Sequence, residues 1–164
     1  MSERILVPLD GSEVGETALH YVEGMMSRLA PGQPVEITLF RVLKPLTRGV
    51  YAPAAGTAEV PYTEAEMAPV KKQAMDYLEK SGAILRKKGA VVKCVVMIGT
   101  IGVSAADGII KAGDEVNANL VAMSTHGRHG LTRWAFGSVT DKVLRAGSVP
   151  VLLVRVKEKA AAKS

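Results

Sequence analysis

A segment rich in glycine, arginine and histidine runs from Met123 to Val143, with the sequence MSTHGRHGLTRWAFGSVTDKV. It shows neither helical nor strand periodicity until its last third. Gly127 and Gly137 have no side chain, so a phosphate group could approach the backbone closely at both positions. Ser138 could donate a hydroxyl hydrogen bond, and Arg128 adds a positive charge between the two glycines. The segment therefore indicates a site for a ligand that carries phosphate.

The same segment runs into a predicted helix, Ser138 to Ala146, so the amides of Gly137, Ser138 and Val139 lie at its start. The first N–H groups of a helix have no intrahelical partner and carry a partial positive charge that attracts anions. A second polar group, Asp10-Gly11-Ser12, follows the first predicted strand. Asp10 stands in a largely apolar stretch, where its carboxylate could accept hydrogen bonds from a ribose or an adenine amine. Together the two groups indicate a nucleotide site.

Ordinary structural roles are the alternative for each of these residues. Glycines that follow a strand are most often turn residues, and Ser12 and Ser138 could be only helix caps. His126 and His129 have the spacing H-x-x-H, but zinc needs further ligands on a fixed element, which disfavours a metal role for them. Other signatures are absent from the sequence, which has no G-x-S-x-G, no G-x-x-x-x-G-K-[ST], and no G-x-G-x-x-G after the first strand.

The elements that must position these residues alternate between short β-branched runs and longer helical patterns. Five strands are predicted: Arg4–Asp10, Val35–Leu43, Val91–Gly99, Asn119–Ser124 and Val149–Val156. Four helices are predicted, and the first follows Ser12 with a buried face formed by Val14, Ala18, Val22, Met25 or Met26, and Leu29. The second spans Met67–Lys88 and ends before Gly89. The third follows a possible capping box at Ser104 and carries Ile109, Ile110 and Ala112, and the fourth spans Ser138–Ala146. This alternation predicts a doubly wound α/β domain whose mostly parallel sheet has helices on both faces. Ligands in such sheets bind beyond the carboxyl ends of the strands, where Asp10 and the glycine-rich segment fall.

Between the second strand and the second predicted helix lies a stretch, Lys44 to Glu66, that is rich in Pro, Gly, Ala and Thr. It shows no periodicity, so we expect a long loop, and loops of that length are usually mobile or functional.

Composition limits the class of protein. The chain has 164 residues with a net charge of +5, which predicts one domain over residues 1–156 and a disordered basic tail over 157–164. The sequence shows neither a signal peptide nor an apolar run long enough to span a membrane, so we expect a cytoplasmic protein with no membrane partner. Cys94, the single cysteine, is expected to pack in the core. The positive charge suits an anionic ligand, but only 4% of the residues are aromatic, which disfavours a specific nucleic-acid partner.

Three segments, ILVPLDGS, MSTHGRHGLTRWAFGSVTDKVLR and SVPVLLVR, resemble the universal stress protein family, and the resemblance covers nearly the whole chain. Nucleotide-binding members of that family carry the pattern G-x2-G-x9-G-[ST]. Gly127, nine intervening residues and Gly137-Ser138 reproduce its second half, whereas Ser124 stands where the first glycine would be. We expect serine to be tolerated there because it is small and continues an extended strand.

The resemblance implies a Rossmann-like fold, a five-stranded parallel sheet in the order 3-2-1-4-5. It also implies ATP as the ligand, usually with a divalent cation such as Mg or Mn, and a homodimer joined through the strand Val149 to Val156. The implied contacts are Asp10 with the ribose or adenine, beside Ser12 on the same loop; Pro8, Leu9 and Val42 around the adenine; Met123 and Ser124 on the base and sugar side; Gly127 and Arg128 along the phosphates; and Gly137, Ser138 and Val139 on the terminal phosphates.

A nucleotide-responsive dimeric switch in the stress response is the function that this resemblance favours. We expect slow ATP hydrolysis at most, because His126 and His129 are the only candidates for a general base near the terminal phosphate. The alternative is a nucleotide-free dimeric interaction module that acts through partner proteins. An adenylyl-transferring enzyme is a third and weaker hypothesis.

Overall fold

The computed structural model describes residues 2–28, 32–54, 56–126 and 137–156. In chain order the elements are β1 (Glu3–Pro8), α1 (Glu13–Met26), β2 (Val35–Leu43), β3 (Thr47–Ala52), β4 (Gly56–Pro61), α2 (Glu64–Lys87), β5 (Val91–Ile98), α3 (Ala105–Glu115), β6 (Leu120–His126), α4 (Ser138–Ala146) and β7 (Val151–Val156). The predictions for Leu29, for Gly127, Arg128 and His129, and for the tail 157–164 lie outside the described residues.

Five of these strands form a sheet in the order β5-β2-β1-β6-β7. Every pairing within it is parallel. When the five strands of this sheet are numbered in chain order without β3 and β4, their order is 3-2-1-4-5, as predicted. The prediction of a doubly wound, five-stranded parallel α/β fold is therefore confirmed.

The two faces of the sheet carry separate hydrophobic clusters, because successive residues of a strand point to opposite faces. Ile5 and Val7 of β1 belong to a cluster that includes Leu78 of α2. Leu6, which lies between them, belongs to the cluster that includes Ile109 of α3. Helices α1 and α2 cover the first cluster, and α3 and α4 cover the second, so both faces of the sheet are covered as predicted.

The prediction of a structureless loop from Lys44 to Glu66 is wrong. Strands β3 and β4 pair as an antiparallel hairpin whose register brings Thr47 opposite Pro61, and α2 already begins at Glu64. Almost every residue of the hairpin is exposed. Neither face therefore had to be uniformly apolar, and the period-2 alternation that signals a strand is correspondingly weak.

Capping residues account for the helix boundaries. The predicted box at Ser104 is present, since the Ser104 hydroxyl accepts a hydrogen bond from the Asp107 amide and the Asp107 carboxylate accepts one from the Ser104 amide. A second box, formed by Thr63 and Glu66, begins α2 three residues before its predicted start. Gly89 follows α2 with a φ of +89°, which confirms the predicted end of that helix.

Some strand boundaries differ from the predicted ones. β1 ends at Pro8 rather than Asp10, although the Leu9 amide still donates to the Phe40 carbonyl at 2.8 Å. β7 begins at Val151 rather than Val149, because the intervening proline has no N–H for the ladder. Within the described ranges, no helix is long and apolar enough to cross a membrane.

Candidate functional site

A cavity of about 210 Å³ lies at the carboxyl ends of β1, β2 and β6. These are the three central strands of the sheet, and the winding of the chain reverses at β1, which has β2 on one side and β6 on the other. The lining residues come from the ends of these strands and from helices α1, α3 and α4: Pro8, Leu9, Asp10, Ser12, Val14, Gly15, Phe40, Val42, Ala105, Ile109, Met123, Ser124, Val139 and Thr140. The cavity therefore occupies the position at which doubly wound sheets bind ligands.

Eight of the twelve residues predicted to contact a nucleotide line this cavity: Pro8, Leu9, Asp10, Ser12, Val42, Met123, Ser124 and Val139. Gly137 and Ser138 are exposed and do not line it, but they directly precede Val139 at the start of α4. The remaining two, Gly127 and Arg128, lie outside the described residues. The structure thus brings together side chains from positions 8 to 139 of the sequence.

Six lining residues were not predicted: Val14, Gly15, Phe40, Ala105, Ile109 and Thr140. Val14 and Ile109 have the helical spacing of a buried face, which predicts a place in the core. Periodicity shows which face of a helix is turned inward, but it does not show whether that face meets other side chains or a cavity. The remaining four belong to no motif or periodic pattern that indicates a site.

Asp10 is exposed, so the expectation of a largely apolar setting is wrong. Its Oδ1 accepts hydrogen bonds from the Ser12 amide at 2.9 Å and from the Ser12 hydroxyl at 2.6 Å. Partial burial raises the pKa of the Asp10 carboxyl, but the hydrogen bonds from Ser12 and the positive charge of Arg41 outweigh it, so the pKa lies below the usual value. The carboxylate is thus ionised at neutral pH.

The close packing around Asp10 explains one glycine of α1. A Cβ added at Gly15 would lie 2.8 Å from Asp10 Oδ1, closer than such contacts come in folded proteins. Ser12 is also the N-cap of α1, since its hydroxyl accepts a hydrogen bond from the Gly15 amide at 3.0 Å. The capping role considered as an alternative for Ser12 is therefore real, and the residue lines the cavity as well.

Ser124 occupies an extended position in β6, and its φ is not positive. Serine therefore causes no backbone strain at this position. Its hydroxyl accepts a hydrogen bond from the Ala18 amide at 2.7 Å and donates one to the Gly15 carbonyl at 3.3 Å. The proton of the hydroxyl is thus committed to α1 rather than to a ligand.

Helix α4 begins beside the cavity without a side-chain cap. Its N-cap is Gly137 rather than Ser138, and Ser138 is the first helical residue, so the alternative role of Ser138 as a cap is wrong. Helices α1, α2 and α3 each have a capping side chain at this position. The first N–H groups of α4 therefore lack a capping partner among the described residues, and the helix dipole adds positive potential there.

An ion pair ties α3 to α4 next to this site. Lys142 Nζ lies 2.7 Å from the Asp107 carboxylate and donates a hydrogen bond to the Ser104 hydroxyl at 3.1 Å. The hydrogen bonds from Lys142 and Ser104 lower the pKa of Asp107. The contact joins the first turn of α3 to the second turn of α4, and these two helices form one side of the cavity.

A metal role was the other chemistry that the sequence raised, through the H-x-x-H spacing of His126 and His129. In the described part of the chain, no group of three His, Cys, Asp or Glu side chains could hold a metal. This does not test the H-x-x-H pair, because His129 and the side chain of His126 lie outside the described residues.

Comparison with known proteins gives a consistent assignment. A sequence model of the universal stress protein family matches residues 1–155. Universal stress protein MJ0577 of Methanocaldococcus jannaschii is 27% identical over 165 residues, which cover 96% of this chain and 97% of the relative. The solved structure of MJ0577 superposes with a TM-score of 0.68 at 23% identity, covering 96% of this chain and 98% of the other.

Two more distant structures contain nucleotides. The universal stress protein of Archaeoglobus fulgidus in complex with dAMP has a TM-score of 0.52 at 20% identity and covers 94% of this chain and 98% of its own. A universal stress protein family member from Arabidopsis thaliana with AMP bound has a TM-score of 0.59 at 13% identity and covers 95% of this chain and 93% of its own. At these identities the likeness shows a shared fold.

Proposed function

Since the chain belongs to the universal stress protein family, we propose that it binds an adenine nucleotide, ATP, in the cavity at the carboxyl ends of β1, β2 and β6. One observation carries the proposal: eight residues expected from the sequence to contact a nucleotide, spread from Pro8 to Val139, line the same cavity. The AMP and dAMP bound to two proteins of the same fold support an adenine nucleotide as the class of ligand.

The adenine and ribose would occupy the part of the cavity formed by the strand ends. Leu9, Val42 and Ile109 provide an apolar surface for the base. Asp10 would accept hydrogen bonds from the ribose hydroxyls through Oδ2, which has no partner among the described residues, while Oδ1 is held by Ser12. A carboxylate already ionised and fixed loses little conformational freedom on binding.

The phosphates would bind at the start of α4, where the amides of Ser138, Val139 and Thr140 lack a side-chain cap. Gly137 leaves open space there, since an added Cβ would meet no atom of the described residues within 4 Å. Gly127 and Arg128 would complete this part of the site, with a divalent cation held by the phosphate oxygens.

The protein would act as a nucleotide-responsive switch rather than an efficient enzyme. Asp10 is the one carboxylate among the lining residues, and its lowered pKa makes it a weak general base. We therefore propose slow ATP hydrolysis at most. A homodimer would form along β7, which lies at one edge of the sheet and would otherwise present an apolar edge to solvent.

A nucleotide-free interaction module is the second candidate, and the β3–β4 hairpin favours it. Val50 and Val60 lie on one face of the hairpin and are 42% and 37% exposed. Such a face suits contact with another protein. The two candidates differ in whether the cavity binds ATP.

Calorimetric titration with ATP and Mg²⁺ tests the proposal, with Ala105→Trp as the variant. Ala105 lines the cavity at the start of α3, so an indole there should fill the space for the base. We expect at least tenfold weaker binding. The matched control is Ala83→Trp, which places the same side chain on an exposed position of α2.

Wild-type affinity should be retained by Ala83→Trp. No detectable ATP binding by the wild-type protein would contradict the proposal and favour the interaction module. Equal affinity of wild type and folded Ala105→Trp would show that ATP binds elsewhere.

A further inference from the structure

Arg41 is a cation beside the proposed nucleotide site that has no part in the proposed contacts. It lies in β2 between Phe40 and Val42, both of which line the cavity. Because alternate residues of a strand point to opposite faces, the Arg41 side chain lies on the other side of the sheet, toward α2. Its position at the carboxyl end of β2 brings it close to the loop that follows β1.

The guanidinium of Arg41 packs directly against Gly11. A Cβ added at Gly11 would lie 3.2 Å from both Nη1 and Nη2 of Arg41. Gly11 also has a φ of +86°, a conformation that favours glycine. The loop Asp10-Gly11-Ser12 therefore approaches the cation closely because it has no side chain at its centre.

The guanidinium of Arg41 also contacts the ring of Tyr77 in α2. The Arg41 Cζ lies 5.3 Å from the centroid of the Tyr77 ring, within the range of a cation–π interaction. The Tyr77 hydroxyl donates a hydrogen bond to Glu16 Oε1 of α1 at 3.0 Å. Among the described residues, Arg41 has no ion-pair partner within 4.0 Å, so the aromatic ring is its main fixed contact on α2.

We propose that Arg41, held by the Tyr77 ring, is a positioning residue that supports the Asp10-Gly11-Ser12 loop in the geometry that binds the nucleotide. Its consequence for affinity rests on the proposed function, whereas its effect on the loop does not. Arg41 does not line the cavity, so it acts through Asp10 rather than on the ligand.

The charges around Asp10 define what its titration reports. Arg41 faces it from β2, Ser12 donates to it from its own loop, and the first turn of α1 carries Glu13 and Glu16. Arg41 is the cation in this set. Replacement of Arg41 by a neutral residue should therefore raise the pKa of Asp10 toward the usual aspartate value.

The test measures the loop and the affinity separately in Arg41→Gln. The Ser12 amide donates to Asp10 Oδ1, so its proton chemical shift in the nucleotide-free protein reports the loop geometry, and its pH titration reports Asp10. We expect both to change, and calorimetry with ATP and Mg²⁺ to show at least tenfold weaker binding.

Two tyrosine variants separate positioning from general damage to the fold. Tyr77→Leu removes the ring and should reproduce the effects of Arg41→Gln. Tyr77→Phe keeps the ring and should stay within about threefold of wild-type affinity, which corresponds to ~0.7 kcal/mol. The matched control is Arg48→Gln, because Arg48 lies over the Tyr62 ring at a similar distance of 5.5 Å but in the exposed hairpin.

The outcomes distinguish this inference from the proposed function. A wild-type protein that fails to bind ATP refutes the proposed function. Even then, an unchanged proton chemical shift of the Ser12 amide in Arg41→Gln would refute the claim that Arg41 supports the loop. Weaker binding without a change at Ser12 would place Arg41 on the ligand and overturn the inference. A changed Ser12 amide with unchanged affinity would overturn its consequence for binding.

Discussion

The Ser124 hydroxyl is predicted to hold β6 against α1, and Ser124→Ala tests this contact. The hydroxyl accepts a hydrogen bond from the Ala18 amide at 2.7 Å and donates one to the Gly15 carbonyl at 3.3 Å. The two contacts join residues more than 100 positions apart in the sequence. Alanine removes both without changing the extended backbone.

The expected loss follows from the two hydrogen bonds. A typical intramolecular hydrogen bond contributes ~0.5–1.5 kcal/mol net, and the longer contact to Gly15 should lie at the low end. Ser124→Ala should therefore lower the free energy of unfolding by ~1–2 kcal/mol. For a chain of this size each kcal/mol corresponds to ~2–4 °C in Tm, so we expect a fall of several degrees. Ser124→Gly should cost a further ~0.5–1 kcal/mol, because glycine is unfavourable within a strand.

Urea denaturation followed by circular dichroism measures these changes. The control is Ser148→Ala, which removes a hydroxyl that bonds to Asp114 at an exposed position and should change the free energy by less than ~0.5 kcal/mol. If Ser124→Ala is no less stable than this control, the hydroxyl does not hold the two elements together.

Ser124→Gly also tests whether serine is tolerated in the nucleotide site. Because the backbone is extended and the hydroxyl is turned to α1, glycine should change ATP affinity by less than tenfold, or ~1.4 kcal/mol. A gain well beyond tenfold would show that serine had weakened the site, and would favour the interaction module.

Two further predictions concern the edge strand β7 and the single cysteine. Val154→Lys should convert a dimer into a monomer in light scattering at micromolar concentration, because a lysine opposes strand pairing at a sheet edge; Leu153 is a poorer choice, since it packs against the core. A variant that stays dimeric would exclude this edge. Burial, together with Glu79, raises the pKa of Cys94 to about 11, so its alkylation by iodoacetamide at pH 8 should be on the order of a hundredfold slower than that of an ordinary thiol. A rate like that of a free cysteine would contradict the raised pKa of this partly buried thiol.

The sheet and its helices could be predicted because the core residues repeat at the period of each element. The predicted helix Ser138–Ala146 has the bounds that the structure shows. The β3–β4 hairpin could not be predicted in the same way. Almost all of its side chains are exposed, and its sequence lacks a strong alternation of apolar and polar residues.

The candidate site was predicted in part for a related reason. Asp10 and Ser124 carried signals in their own segments, whereas Ala105 and Thr140 reach the cavity only through the packing of α3 and α4. Arg41 was missed because one arginine in an apolar strand gives no indication of the loop that packs on it. Residues that act through tertiary contacts leave little trace in a single sequence.

Calorimetric titration of Gly137→Val with ATP and Mg²⁺ tests most directly whether the phosphates bind at the start of α4. An added Cβ at Gly137 meets no described atom within 4 Å, so the variant should fold, while its branched side chain fills the space assigned to the phosphates. Gly24→Val is the control, because Gly24 in α1 likewise has no described neighbour within 4 Å of an added Cβ. We predict at least tenfold weaker binding for Gly137→Val and wild-type binding for Gly24→Val. Unchanged ATP affinity in folded Gly137→Val would contradict the assignment of the site.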